Sequence, residues 1–296
     1  MIPDNYKHLF SKAWAYQNSS QFGEAVKVYL NIIENMNSAV AWIGLGQCYL
    51  EMNKGSEALG AFRRAYELLP QSGAIKHMID MLEGGEPPSR APIDYILWVF
   101  NQHADSFDEH LLALDYKGPE MIASLIPDSW AANSRYTLDL GCGTGLNSIY
   151  FSKYSTKLDG VDISPRMLAQ AAKRNYDCLY QAEIHEFLKK SKNKYDTILA
   201  SDVFIYIGYL DELFALFTSS LSKDGNIFFT IELNTEIDRP VDLMTTGRYR
   251  HSINYIEECA DKSGFKIAAF TDGSIRTENG VPQAARAYRL RKSARI

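Results

Sequence analysis

The stretch Asp139-Leu140-Gly141-Cys142-Gly143-Thr144-Gly145 places one carboxylate and three glycines side by side in a short loop. Glycines let a backbone approach a ligand closely and turn tightly. Two nucleotide chemistries use such a loop. The dinucleotide fingerprint is G-x-G-x-x-G, with no acid required before it. Here the third glycine, Gly145, comes one position early, and Leu146 stands where that fingerprint has Gly. Asp139 lies just ahead of the loop. An acid there suits a positively charged ligand tail, such as an α-amino group or a sulfonium, and sits poorly beside a pyrophosphate. Asp162 ends the next strand, at the distance from Gly141 where a carboxylate takes both hydroxyls of a ribose. Ser164-Pro165 then opens a helix, Ser as its cap and Pro in its first turn, which brings Met167 near an adenine face.

These two motifs, D-L-G-C-G-T-G and then V-D-I-S-P-x-M-L, resemble the S-adenosylmethionine site of class I methyltransferases, over about residues 136–291. The resemblance implies that Asp139, Gly141, Gly143 and Gly145 hold the methionyl part and Asp162 the ribose. It implies that Ile163 and Met167 flank the adenine and that Glu183, where many relatives carry Asp, lies near the adenine amino group. Asp202 would border the methyl-transfer position, or simply cap the helix that follows. The cofactor is then S-adenosylmethionine and its product S-adenosylhomocysteine. The whole chain also resembles a narrower group, the TPR-containing predicted methyltransferases. The segments that carry this are Phe107-Asp108-Glu109-His110-Leu111, Tyr116-Lys117-Gly118-Pro119-Glu120, Gly247-Arg248-Tyr249-Arg250-His251-Ser252 with Tyr255, and Arg276-Thr277-Glu278-Asn279-Gly280.

Several acceptor motifs are missing. After Ala200-Ser201-Asp202 comes Val203-Phe204-Ile205-Tyr206, not the N/D-P-P-Y/F of enzymes that methylate amino groups of nucleic acids. No Pro-Cys supplies a nucleophile for cytosine, and Glu232 alone at the end of the fifth strand makes no metal site. The stretch 234–256 gathers Arg248, Tyr249, Arg250, His251 and Tyr255, and substrate-recognition segments are commonly inserted there. We expect His251 as general base or acceptor anchor, because its pKa lies near working pH, with Arg248 and Tyr249 orienting the substrate. The competing reading is an exposed helix start capped by Ser252, its arginines in solvent. The Arg248/Arg250 pair favours an acceptor with a carboxylate. In the tail, Arg286, Arg289, Arg291, Lys292 and Arg295 alternate with Ala287 and Leu290, as on a half-exposed edge strand where charges block further pairing. His8, His77, His103, His110 and His185 share no metal-ligand spacing.

The elements that must position these groups alternate. Strands are expected at Tyr136–Leu140, Lys157–Asp162, Cys178–Gln181, Thr197–Ala200, Asn226–Ile231, Lys266–Thr271 and Ala285–Leu290. Helices are expected at Leu146–Lys153, Pro165–Asn175, Ile184–Lys190 and Leu210–Leu221, preceded by Pro92–Ala104 and Phe107–Ile126. Such alternation means a parallel, doubly wound sheet. The last two strands, joined through Asn279-Gly280, read as an antiparallel hairpin at the sheet edge. Earlier in the chain, Trp42, Leu45, Gly46, Tyr49, Ala58, Phe62, Ala65 and Pro70 match the tetratricopeptide (TPR) pattern, except for Asn53, where the turn often has Gly. Leu9, Tyr16, Ala25 and Tyr29 stand one repeat period before Trp42, Tyr49, Ala58 and Phe62. A third helix, Ala74–Leu82, would cap the stack before the Gly84–Pro92 cluster, which cannot continue a helix.

The expected architecture is thus α plus α/β. TPR hairpins occupy residues 1–85 and a linker 86–92. A seven-stranded, Rossmann-like class I methyltransferase domain fills 93–296, with helices or a lid over 93–130 and the core over 131–296. The 296 residues carry a net charge of −5, which argues against generic nucleic-acid binding. Four Cys without a CxxC pair read as reduced thiols, and neither a signal peptide nor a membrane span is visible, so a cytoplasmic protein is expected. The leading reading is methyl transfer to N or O of a small molecule or peptide, without metal, nucleic acid or membrane. The alternatives are a protein methyltransferase whose TPR docks its substrate, a TPR interaction module (for a partner or a second copy) on a catalytically silent domain, and hydroxylation, to which a mitochondrial complex I assembly-factor type with a similar catalytic domain is linked.

Overall fold

The computed structural model describes residues 3–101, 104–234 and 239–293. His103 and Arg295 lie outside these residues. The chain divides into two compact units. One holds the helices up to Ile96 together with Thr245–Gly247, and the other holds the rest from Leu97 onward.

The first unit is helical. Helices α1 (Asp4–Asn18), α2 (Phe22–Asn35), α3 (Ala39–Glu51), α4 (Gly55–Leu68) and α5 (Gly73–Glu83) each pack on the next. Its core repeats with the sequence. Ala25 and Ala58, Tyr29 and Phe62, and Ile32 and Ala65 are pairs one repeat period apart, and all six are fully buried. The turns repeat with the same period: Ser20 and Asn53 both have φ +57°. Asn tolerates that left-handed conformation better than most residues, so Asn53 does there what Gly does elsewhere. Gly44 and Gly46 lie where any Cβ would strike the rings of Tyr29 and Phe62, which lets the helices cross closely.

In the second unit, α6 (Ile93–Asn101), across whose length the two units divide, leads to α7 (Phe107–Ala113) and α8 (Gly118–Ala123). The single helix expected over 107–126 is therefore two. Asp115 has φ +52°, outside the helical region, and Pro119 lies in the first turn of α8, where proline starts a helix and does not continue one. Then follow β1 (Arg135–Leu140), α9 (Ser148–Phe151), β2 (Ser155–Asp162), α10 (Pro165–Ala171), β3 (Cys178–Gln181), α11 (Ile184–Lys190), β4 (Tyr195–Ala200), α12 (Asp211–Ser220) and β5 (Leu221–Glu232). A two-stranded ribbon, β6 (Val241–Leu243) with β7 (Tyr249–His251), precedes α13 (Ile253–Lys262), β8 (Phe265–Glu278) and β9 (Val281–Lys292).

The main sheet has the order β3-β2-β1-β4-β5-β9-β8. Strands β1 to β5 are parallel, and β9 runs antiparallel to both β5 and β8. The β8–β9 hairpin turns at Asn279 (φ +49°) and Gly280 (φ +77°), both left-handed, as a tight hairpin turn that follows the strand twist requires. One expectation is corrected here. The arginine-bearing tail strand is not the edge: β9 is paired on both sides, and β8 is the outer strand. The alternation of Arg and apolar residues on β9 therefore divides the two faces of an interior strand. Aromatic rings fill both layers: Phe204, Phe214, Phe229 and Tyr288 on one, Phe151, Phe228 and Trp130 on the other. Among the described residues, no helix is long and apolar enough to cross a membrane.

Candidate active site

The carboxyl ends of β1, β2, β4 and β5 meet around the glycine loop. Gly141, Gly143 and Gly145 have φ +61°, +53° and +93°, a region that other residues enter with strain. Their surroundings differ. A Cβ on Gly145 would meet Tyr176 at 2.7 Å, whereas one on Gly143 would meet nothing within 4 Å. Gly143 thus leaves an open cradle at the end of β1. The loop is clasped to β2 by Cys142 N–H to the Val161 carbonyl (3.0 Å) and by Gly143 N–H to Asp162 Oδ2 (2.9 Å). Ser164 N–H donates to Asp162 Oδ1 at 2.8 Å, and the Ser164 hydroxyl caps α10 by accepting from Met167 N–H. Burial pushes the Asp162 carboxyl up, while these backbone donors hold it down. A carboxylate offers about four acceptor positions, so the backbone donors leave room for a ribose hydroxyl.

The remaining cofactor candidates divide. Asp139, expected against a ligand's charged tail, is fully buried, and each of its oxygens accepts from within the fold: Oδ1 from Asn147 Nδ2 (2.8 Å) and Oδ2 from Tyr176 OH (2.6 Å). Burial drives its pKa up to about 7 against those two donors. Its observed work is to fix the loop from beneath. Ile163 is half-buried, and Met167 is fully buried against the fold. Glu183 caps α11 through Glu186 N–H (3.0 Å) and holds His185 Nδ1 at 2.8 Å. Burial would raise this carboxyl, but the His185 ring and the backbone donors bring it to about 2. Its carboxylate therefore has partners of its own within α11.

At the end of β4, Asp202 adopts φ +58°, its N–H bonded to Thr230 Oγ1 (2.8 Å) and its carboxylate to Arg276 Nη1 (2.8 and 3.1 Å). Strained backbone of this kind persists only where neighbours over-determine it. Arg276, on β8, also pairs with Glu232 at the end of β5 and with Glu278 (2.6 Å). Beside Asp202, Ser201 Oγ lies 3.2 Å from Tyr116 OH, which precedes α8. Burial pushes the Tyr116 phenol far up, so it stays protonated at neutral pH.

The three residues expected to act on the substrate are committed elsewhere. Arg248 pairs with Glu278 (2.5 Å) and Glu232 (3.1 Å), and Arg250 with Glu232 (3.5 Å) and Gln283 (2.9 Å). Tyr249 is fully buried. His251 is fully buried too, its Nε2 2.9 Å from the carbonyls of both Ile207 and Gly208. An Nε2 between two acceptors must carry the proton, and burial lowers the ring's pKa to about 4. His251 is therefore a neutral tie between β7 and the segment after β4, not a base facing a ligand. Nor is it an exposed helix start, although Ser252 does cap α13.

Sequence reasoning missed the residues that seat the glycine loop from the N-terminal side. Asp108 on α7 accepts from Thr144 Oγ1 (2.5 Å) and pairs with Arg174 Nη2 (2.5 Å), while Arg174 Nε donates to the Thr144 carbonyl (2.9 Å). Asn101 accepts from Ser164 Oγ (2.7 Å), and Asp105 pairs with Arg166 (2.6 Å). The sole sequence signal was the opening segment that begins at Phe107. Among the described residues, no group of His, Cys, Asp or Glu could hold a metal ion.

Known proteins resemble this part of the chain. Residues 138–227 match the family model described as a methyltransferase domain. An uncharacterized protein of Haemophilus influenzae is 32% identical over 123 residues, covering 38% of this chain and 47% of that protein. A tRNA1(Val) (adenine(37)-N6)-methyltransferase of Yersinia enterocolitica is 28% identical over 117 residues, covering 35% and 47%. The chain thus spans about half the length of these curated relatives. The crystal structure of 1,6-didemethyltoxoflavin-N1-methyltransferase from Burkholderia thailandensis, with 1,6-didemethyltoxoflavin and S-adenosylhomocysteine bound, superimposes with a TM-score of 0.55 at 14% identity, over 71% of this chain and 94% of that one. Residues 138–227 thus match a methyltransferase domain, on a fold shared with a methyltransferase solved with S-adenosylhomocysteine bound.

Proposed function

We propose that the chain transfers a methyl group from S-adenosylmethionine to a nitrogen or oxygen of a small molecule or peptide. The observation that carries this is the clasp at the ends of β1 and β2: an open cradle at Gly143 whose N–H is bonded to Asp162 at 2.9 Å. In this reading Gly141, Gly143 and Gly145 let the backbone close on the methionyl part, Asp162 takes the ribose, and Ile163 bounds the adenine pocket with Met167 packed behind it. Glu183 orders the first turn of α11 beside the adenine, and Asp139 holds the loop. When bound, the cofactor supplies an already activated methyl group on a sulfonium.

The chain's own task is then to orient an acceptor and exclude water, which can supply up to roughly 7–11 kcal/mol. Asp202, Ser201 and Tyr116 border the transfer position, and Tyr116 OH orients the acceptor. At these strand ends, among the described residues, the candidate bases are all committed: Asp202 to Arg276, Asp139 to Tyr176 and Asn147, His251 to carbonyls. The acceptor therefore arrives with a free lone pair, as a neutral amine or an ionised oxygen. Arg248 and Arg250 already face Glu232 and Glu278, so they give no preference for a carboxylate-bearing acceptor. Adenine-N6 chemistry on tRNA is not carried over from the relative, because Ser201-Asp202-Val203-Phe204 stands where N/D-P-P-Y/F would be.

We also read the α1–α2 and α3–α4 hairpins, with α5 as a cap, as TPR repeats, on the strength of the periodic recurrence of buried positions and left-handed turns. They would serve a protein partner or a second copy. Four free cysteines, three of them buried, favour a cytoplasmic setting. Calorimetric titration of the full chain with S-adenosylmethionine and S-adenosylhomocysteine tests the main reading. Micromolar binding that is lost in Asp162→Ala, with an acceptor heavier by one methylene group in mass spectrometry, supports it. An intact chain that binds neither ligand overturns it, and a gain of one oxygen instead points to hydroxylation.

A further inference from the structure

The arginines of the tail strand have separate fates. Arg286 pairs with Asp272 (2.6 and 2.8 Å) and lies over Phe270, and Arg291 pairs with Asp224 (3.1 Å). Arg289 has no acidic partner among the described residues, and its Nε is buried without a hydrogen bond. Alternate residues on a strand share a face, so Arg289 and Arg291 lie on one side of β9. There the β5–β9 register sets them opposite Phe228 and Asn226. That side holds a cavity of about 400 Å³ lined by Trp130, Arg135, Asp224, Asn226, Arg289 and Arg291, among others. Arg135 opens β1. Its guanidinium lies 4.7 Å from the Trp130 ring centre, and its Nε is likewise buried and unbonded.

The cavity wall therefore carries three guanidinium groups against one carboxylate, an excess of two positive charges. Burial, and then the like charge of Arg291, depress the pKa of Arg289, as expected of a cation that lacks its counter-ion. Guanidinium forks match phosphate oxygens in pairs. The volume falls in the range of small-ligand pockets, roughly 300–1,000 Å³. The cavity is at the opposite end of the sheet from the cofactor loop: β1 runs from Arg135 to Leu140, about 15–20 Å at ~3.3 Å per residue.

We propose that this cavity is a second ligand site, which binds a dianionic phosphate or phosphate ester through Arg135, Arg289 and Arg291. The site does not depend on the methyl-transfer reading. Its test is titration of the full chain with inorganic pyrophosphate, and separately with inorganic phosphate and adenosine monophosphate, followed by tryptophan fluorescence. Sodium chloride at matched ionic strength is the control. Trp130 is one of four tryptophans, so Trp130→Phe shows which part of the signal is local. The expected result is saturation below millimolar concentration, weakened at least ten-fold in Arg289→Gln and in Arg135→Gln, with the circular dichroism of both variants unchanged. The strongest of the three probes separates a free phosphate from an esterified one. No saturation of the wild-type chain beyond the chloride control overturns the site, as does equal saturation in either variant. Should either variant fail to fold, Arg289→Lys and Arg135→Lys, which keep the charge but lose the guanidinium fork, take its place with the same expected loss.

Discussion

The His251 ring donates from Nε2 toward the Ile207 and Gly208 carbonyls with none of its surface exposed, and its pKa falls from 6.5 to about 4. Between those values the unfolded chain binds a proton that the folded chain refuses. Stability therefore rises with pH across that window and is lost as pH falls from 6.5 toward 4. The contribution is about 3 kcal/mol, from ~1.4 kcal/mol per pH unit. His251→Gln keeps an N–H donor but cannot titrate. It should flatten this part of the stability profile in urea melts at pH 6.5 and pH 4.5. Equal acid losses in wild type and variant would disprove the neutral assignment. Catalysis supplies a second check: since the His251 ring is buried against two carbonyls, the variant's turnover should stay within a few-fold of wild type at pH 7.5.

Among the elements, α7 braces the glycine loop. It has only seven residues, too short to be stable alone, so its place depends on what it touches. Asp108 ties it to Thr144 inside the glycine loop and to Arg174 beyond α10. With 44% of the Asp108 side chain exposed, solvent screening leaves this tie worth about 1 kcal/mol. Asp108→Asn should then weaken S-adenosylhomocysteine binding roughly five-fold and speed amide exchange in α7, leaving the melting temperature nearly unchanged. Unaltered exchange and affinity would show that α7 does not support the loop. The break between α7 and α8 was legible only in part. Gly118-Pro119 marks a start, but the left-handed Asp115 that ends the previous turn carries no strong local signal.

For the molecule as a whole, the buried charge network closes the sheet. Asp202 follows β4, Glu232 ends β5, Arg276 and Glu278 lie on β8, and Arg248 and Arg250 come from the β6–β7 ribbon. Three acids face three arginines, so the cluster is neutral only when complete. Arg276 is 3% exposed and Glu232 is 1% exposed. Arg276→Met would leave Glu232 and Asp202 short of a partner, at a cost of about 3–5 kcal/mol. For a domain of this size that is a drop in melting temperature of roughly 10 °C. A loss of only a few degrees by calorimetry would mean that Arg248 and Arg250 suffice to neutralise Glu232.

The sequence by itself determined the glycine loop, the place of Asp162 at the end of β2, the helix caps at Ser164 and Ser252, the Asn279-Gly280 turn and the alternation that makes a parallel sheet. All of these are local. A glycine's φ, a cap or a strand period depends on residues a few positions away. Only the tertiary structure decided where the charged groups point. Arg276 meets Asp202 across 74 residues, and His251 meets Ile207 across 44. An arginine reads the same in sequence whether it awaits a substrate or already has a carboxylate. The same distance hid the place of β9, whose alternating pattern looks like an edge until β8 pairs outside it. It also hid the cavity of Arg135 and Arg289, which come from opposite ends of the domain's sequence and share one wall only once the sheet has formed.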